Sequence, residues 1–492
     1  VNFVLRRDFE GIRLRGNVGL STPGGYGANQ YISAMIGQNF GSGRGNVTLH
    51  GEFARQERVF ASQVPWLRRV EGLGAVDADQ ADNPDDSVPD AIYFRNITNR
   101  NGSRFGTVFI SQPDADPGCG RGVGARPQDQ VAYNCLLVFD SAGNLAPSTE
   151  TARFGPGPIG SAIGGNLDNG REGRFYSLLP RQDRYNINLL AHHEFAPAAE
   201  VFVEAKYARI DTQGSNSGAA GLTGSFAQFD TRERLRLDNP FLTSAQRTTI
   251  AEAILASGCN TSGTATACRT TTAFSGPLTA TQRAAIAAGT YRFALGRSEV
   301  AGGIRDEISQ RETYRVVGGL RGALSDEWTY EIALNYRRLE ERTRTKGFVD
   351  QQRLMLSLDA GVNPATGQIQ CRAQFDAASA AAFDSGAFQV GSQSRGNAGQ
   401  LARLAADIAA CVPFNPFGGG HDNTAAREYF GVTTRNKGWA EQIVASASVT
   451  GDSGRWFDLP GGPVRFALGA EHRREDLYVK QDDFAGTPGN TN

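Results

Sequence analysis

The stretch Arg184-Tyr185-Asn186-Ile187-Asn188-Leu189-Leu190-Ala191-His192-His193-Glu194-Phe195, followed by Ala196-Pro197-Ala198 and then Ala199-Glu200-Val201-Phe202-Val203-Glu204-Ala205-Lys206-Tyr207, decides the fold class. Tyr185, Ile187, Leu189, Ala191, His193 and Phe195 alternate with Arg184, Asn186, Asn188 and His192. Beyond the turn, Val201, Val203, Ala205 and Tyr207 oppose Glu200, Glu204 and Lys206. A repeat of two is that of a strand with one apolar and one polar face. Two such runs across a short turn read as a hairpin.

The same alternation recurs along the chain. Ile12, Leu14, Gly16, Val18 and Leu20 oppose Arg13, Arg15 and Asn17. Ile32, Ala34 and Ile36 follow a Gly-rich turn, and Val47, Leu49, Gly51 and Phe53 oppose Asn46, Thr48, His50 and Glu52. Tyr314, Val316, Gly318 and Leu320 turn through Ser325-Asp326-Glu327 to Tyr330, Ile332, Leu334 and Tyr336, which oppose Glu331, Asn335 and Arg337. Ile443, Ala445, Ala447 and Val449 turn through Asp458-Leu459-Pro460-Gly461-Gly462 to Val464, Phe466, Leu468 and Ala470, opposed by Arg465, Glu471 and Arg473. Nine strands of about 9–13 residues are expected, long enough to cross a bilayer core when tilted. Aromatics near the turns (Phe40, Phe195, Trp328, Tyr330 and Trp456) suit an interfacial girdle.

Short turns are expected to alternate strictly with long connections, at about 58–181, 214–310 and 344–437. That is the build of an outer-membrane barrel, with short turns on one side and long loops on the other. The expected fold is therefore all-β: a partial transmembrane up-and-down antiparallel β-barrel whose long extracellular loops carry short helices. Its apolar rows face lipid. Arg13, Arg15, Glu52, Glu200, Glu204, Lys206, Glu331, Arg337, Arg465, Glu471 and Arg473 face a wet lumen. Their plain role is to solvate that interior.

Composition agrees. The chain is 40% hydrophobic and has no run of 18 apolar residues, which excludes a membrane-spanning helix but not a barrel. The 60 glycines suit twisted strands and loops, and the net charge of -1 offers nucleic acid no basic excess. The chain opens on Val1 and ends in a polar stretch, which reads as an internal fragment of a longer exported protein.

All six cysteines lie in the long connections. Six cysteines admit many connectivities. Locality favours Cys119 with Cys135, Cys259 with Cys268 and Cys371 with Cys411, in an oxidising compartment. Zinc is the rival, weakened because no CxxC occurs and only His421 lies near a loop cysteine. Thr243 with Gln246, and Thr279 with Gln282, have capping-box spacing before alanine-rich stretches, so two loop helices are expected. Asp77, Asp79, Asp82, Asp85, Asp86 and Asp90 cluster in the first loop without an EF-hand pattern, and a solvated loop is the plainer reading. Tyr93, Phe94, Phe105 and Phe109 are loop aromatics able to touch a ligand. His192 and His193 point to opposite faces and cannot share a metal. No P-loop, G-x-S-x-G or H-E-x-x-H occurs, so no catalytic residue, metal or cofactor is assigned.

Val1-Asn2-Phe3-Val4-Leu5-Arg6-Arg7-Asp8-Phe9-Glu10-Gly11 resembles the junction of plug and barrel in TonB-dependent outer-membrane receptors. Cys411-Val412-Pro413-Phe414-Asn415-Pro416-Phe417-Gly418 resembles a loop phrase of a proteobacterial subgroup of that family. Trp456-Phe457-Asp458-Leu459-Pro460 with Val464-Arg465-Phe466-Ala467-Leu468-Gly469-Ala470-Glu471 resembles a hairpin of the same subgroup. The resemblance implies that residues 1–10 end the plug and residues 11–492 form the N-terminal part of the barrel. It implies a Gram-negative outer membrane and surrounding lipid. It also implies energised uptake of a scarce nutrient, of the ferric siderophore, cobalamin or oligosaccharide class. The TonB complex would act through an N-terminal region absent from this chain. Family barrels have about 22 strands, so this chain would hold under half.

Two other classes compete: a passive porin-like channel and a secreted or surface β-adhesin. An upstream plug argues against the first. Detergent-dependent solubility and heat-modifiable mobility argue against the second.

Overall fold

The computed structural model describes residues 7–22, 24–77, 89–100, 102–124, 130–168, 176–215, 220–223, 234–261, 267–269, 275–299, 305–384, 389–390, 393–394 and 398–486. Nine strands form one antiparallel meander in chain order. They are β1 (Gly11–Gly19), β2 (Asn29–Phe40), β3 (Gly45–Gln56), β4 (Arg181–Ala196), β5 (Ala199–Gly214), β6 (Glu307–Ala323), β7 (Trp328–Val349), β8 (Gly431–Asp452) and β9 (Arg465–Lys480). Each strand pairs with its sequence neighbours and none crosses over, so the sheet is an arc of an up-and-down barrel.

Register sorts the side chains as the alternation demands. Ile12, Ile36, Leu49, Leu189, Ala205, Val316, Tyr336 and Ile443 stand side by side in one row across β1 to β8. Large aliphatics on this face are open to the surroundings: Ile12 is 71% exposed, Leu14 74% and Ile332 53%. A continuous apolar face this exposed is costly in water and at rest in hydrocarbon. Aromatics bound it. Phe53 packs on Tyr185 and Tyr207 on Tyr314 towards the loop end. Phe40 stacks on His193 and Trp328 contacts Trp456 and Phe466 towards the turn end. From Tyr185 to Phe195 along β4, ten residues at about 3.3 Å each and a tilt of about 40° give a band about 25 Å tall.

Three expectations need correction. The strands are longer than expected, reaching 22 residues in both β7 and β8. The third connection therefore runs only from Asp350 to Phe430, instead of 344–437. From Arg338 to Lys346 both faces of β7 are largely polar, so no apolar alternation marks the extension. Backbone pairing with β6 and β8 carries it. Loop lengths also do not segregate strictly. The connection between β1 and β2 emerges at the loop end yet spans only residues 20–28, where glycines at positive φ (Gly24, Gly25 and Gly27) turn the chain tightly.

The long connections are not three separate loops. Leu145–Pro147, Cys135–Phe139 and Thr107–Ile110 of the first join Leu295–Glu299 and Ala220–Thr223 of the second in one five-stranded sheet. One apolar core draws Val108, Ile110 and Phe139 from the first connection, Ile250, Ile254 and Phe293 from the second, and Leu354, Phe414, Phe417 and Phe430 from the third. The result is a shared outer cap. At its base Arg58 clasps Asp306 with both guanidinium arms, at 2.7 and 3.0 Å, and Gln213 donates to the same carboxylate at 2.8 Å. Burial alone would raise the Asp306 pKa; the hydrogen bonds from Arg58 and Gln213 outweigh it and hold it below the ordinary value.

Both expected loop helices form, α1 (Ser244–Ser257) and α2 (Ala280–Ala287). Thr243 and Gln246 exchange backbone-to-side-chain hydrogen bonds at 2.8 and 3.3 Å, as do Thr279 and Gln282 at 2.9 and 3.2 Å. Gly258 ends α1 in the left-handed conformation.

Cys119 is joined to Cys135, Cys259 to Cys268 and Cys371 to Cys411. The closed segments span 16, 9 and 40 residues. In the chain-entropy model they restrain the unfolded cap by about 3, 2.6 and 4 kcal/mol respectively. Double Cys→Ser variants are thus expected to sensitise the cap to protease in the order Cys371/Cys411, Cys119/Cys135, Cys259/Cys268. The opposite order would refute the entropic account.

Candidate functional site

The opposite face of the nine-stranded sheet is polar, and register places all eleven charged candidates there. Arg13 pairs with Met35 and Arg15 with Ser33, which pairs with Glu52. Glu200, Arg321 and Glu331 form one row. Lys206, Arg315 and Arg337 form another. Glu204 adjoins these cations across β5 and β6. Arg465, Glu471 and Arg473 lie on the same face of β9, beside Asp452, Ser446 and Val444.

Ion pairs knit the face together. Arg321 Nε donates to Glu200 at 2.9 Å, Arg315 lies 3.4 Å from Glu204, and Asn186 donates to Glu52 at 3.1 Å. Arg473 contacts Glu471 at 2.9 Å. Like charges side by side repel. The row Lys206, Arg315 and Arg337 has one nearby carboxylate engaged, Glu204 with Arg315. It therefore presents positive charge on the polar face. Near the short turns, Glu194, Glu200, Arg321, Thr329, Glu331 and Ser448 help line a hollow of about 610 Å³.

Sequence reasoning missed Arg315 and Arg321, although the alternation that named Val316 and Leu320 places both on the other face. It also missed the feature that organises the site. Residues 7–10 run across the polar face before entering β1. Arg7 Nη2 lies 3.5 Å from Glu204 Oε1 on β5, and Asp8 Oδ1 lies 2.8 Å from His192 Nε2 on β4. Asn46 on β3 donates to the Phe9 carbonyl at 2.9 Å, and Asn39 on β2 donates to Glu10 at 2.9 Å. Asn46 is fully buried beneath this strap, and its own Oδ1 accepts from Thr48 at 2.7 Å. Gly37 is required here, because a Cβ would collide with the Phe9 carbonyl.

The cap carries its own buried charges. Arg100, 1% exposed, pairs with Glu150 at 2.8 Å. The Arg153 guanidinium lies 4.1 Å over the Tyr133 ring and donates to the Asn134 and Ile159 carbonyls. Burial pulls Arg153 down to about 9 and pushes Tyr133 up to about 12. These groups tie the first connection to itself.

Three of the four loop aromatics are structural. Phe109 is fully buried, Phe105 packs against the shared core and Phe94 stacks on Phe154. Tyr93 remains 56% exposed. Of the acidic cluster, Asp79, Asp82, Asp85 and Asp86 lie outside the described residues. Among the described residues no three His, Cys, Asp or Glu side chains group as a metal site. None of the helices there is long and apolar enough to span a membrane.

No protein-family profile matches the chain, and no curated protein matches it. Solved structures similar to it include an outer membrane transporter, YddB from Escherichia coli, at 6% identity and a TM-score of 0.21, covering 92% of this chain and 35% of that one. The siderophore receptor PiuA from Acinetobacter baumannii is similar at 9% identity and a TM-score of 0.21, covering 96% of this chain and 48% of that one. The chain therefore spans between a third and a half of the length of these structures.

Proposed function

We propose that this chain is the N-terminal part of the barrel wall of a TonB-dependent outer-membrane receptor. It lies in the outer membrane of a Gram-negative bacterium, with residues 1–10 as the end of a plug. The receptor takes up a scarce nutrient of the ferric siderophore, cobalamin or oligosaccharide class, bound as a small molecule or glycan beneath the cap. The TonB complex supplies the energy from the plug side.

The apolar face, about 25 Å tall between aromatic rows, fits a bilayer. The opposite face carries the eleven charged residues and fits a wet lumen. One observation carries the reading over a passive porin: the chain ahead of β1 crosses the polar face and is held there at four points, through Glu204, His192, Asn46 and Asn39. A segment tied along the polar face just ahead of the first strand suits a barrel whose lumen holds a preceding domain. A secreted adhesin gains nothing from the exposed apolar belt.

The test is uptake by cells producing the full-length protein, in backgrounds with and without TonB. Ferric chelates, cobalamin and oligosaccharides are offered in turn. Uptake of one class that stops without TonB is the expected result. Equal uptake in both backgrounds would leave a passive channel in its place.

A further inference from the structure

Resting on that reading, we propose that His192 is a proton-operated latch holding the segment ahead of β1 against the wall. The ring is wedged between two carboxylates of different ownership. Its Nε2 is 2.8 Å from Asp8 on the strap, and its Nδ1 is 3.5 Å from Glu200 on β5. The histidine side chain is 13% exposed, and its Nδ1 is buried without a well-formed hydrogen bond.

A neutral imidazole has one N–H and serves one carboxylate; an imidazolium has two and serves both, with charge assistance. The surrounding groups do not substitute for it. On the strap, Arg7 is engaged with Glu204 and Glu10 with Asn39. On β6, Arg321 holds Glu200 from the far side. On β3 the residue opposite His192 is Asn46, which is neutral, and Glu194 on β4 adds only negative charge. Among the described residues, Asp8 meets no cation other than His192.

Three ties to the strap persist whatever the state of the ring: Arg7 to Glu204, Asn46 to the Phe9 carbonyl and Asn39 to Glu10. The latch therefore adjusts the grip. It is closed when both ring nitrogens carry a proton and opens when one of those protons is lost, because a neutral ring can serve only one of the two carboxylates. A segment through which an upstream plug is pulled would then yield more readily when the ring is neutral.

A nitroxide on Arg6→Cys, just ahead of the strap, reads this directly. No free cysteine among the described residues competes for the label. In the full-length protein in nanodiscs, the mobile fraction of the spectrum should rise about fivefold from about pH 5 to about pH 8. His192→Gln should flatten that profile, and so should Asp8→Asn, which alters an exposed strap residue and spares the wall should the first variant fail to assemble. A rise that survives both substitutions overturns the latch. A label that stays immobile and flat with pH in the wild type also overturns it, while leaving the strap and the receptor reading in place. A label mobile at every pH overturns both.

Discussion

Arg297→Met is expected to open the outer cap, raising amide exchange in the third connection about 150-fold, the equivalent of about 3 kcal/mol. Arg297 sits in the second connection and is only 5% exposed. Its guanidinium donates to the Pro416 carbonyl at 2.7 Å and to the Gly418 carbonyl at 2.9 Å, both in the third connection. It reaches Phe105 of the first at 3.4 Å. One side chain therefore joins all three connections. Methionine fills the volume but leaves buried carbonyls unpaired, and an unpaired buried acceptor costs more than the bond itself was worth. Arg297→Lys should recover only part of the loss, because a single ammonium cannot match the planar fork. Exchange at the Phe414 amide, which donates to Ser357 at 3.0 Å, is a suitable reporter. Unchanged exchange there in Arg297→Met would show that the three connections hold together without this residue.

Phe414→Ala should cost the cap about 4 kcal/mol. Phe414 is fully buried, meets Phe430 edge-on with ring centroids 5.4 Å apart, and lies in the core shared by all three connections. Removing the ring leaves a cavity lined by residues that cannot collapse into it, because the disulfide at Cys411 and the Arg297 bonds at Pro416 pin the backbone on both sides. Phe414→Leu should cost about 1.5 kcal/mol or less. The wall should survive either change, so heat-modifiable mobility should stay as in the wild type while cap proteolysis accelerates. The Arg297 guanidinium sits 5.9 Å above the Phe414 ring, so the double variant should lose less than the two single losses added. Strict additivity would place the two residues in independent parts of the cap.

The same phrase, Cys411 to Gly418, was singled out in the sequence only by resemblance. In the fold it is the cap's keystone. Asn415 accepts from the Phe417 amide at 3.0 Å, and Asn423 accepts from the Asn415 amide at 3.0 Å. Phe414 and Phe417 enter the core on either side of this turn. Packing accounts for the phrase without any ligand.

Much of the wall is legible in the chain alone. Alternation at period two states which residues share a face, because successive side chains of a strand point to opposite sides whatever the partner strand. That is why Arg13, Glu204 and Arg473 could be assigned to one face from spacing. The capping boxes at Thr243 and Thr279 are legible for the same reason: their hydrogen bonds close over three residues. The upper halves of β7 and β8 are not legible, because a strand with polar residues on both faces leaves no periodic trace.

What joins distant residues was decided only by the tertiary structure. Glu204 meets Arg315 across 111 positions and Arg7 across 197. Thr107 stands beside Gly296 in a sheet that no local pattern announces. The strap's hold on β2 to β5 and the union of three connections into one cap depend on which strand ends the meander brings together. A residue's facing follows from its immediate neighbours along the backbone, but its partner follows from the register of the whole sheet.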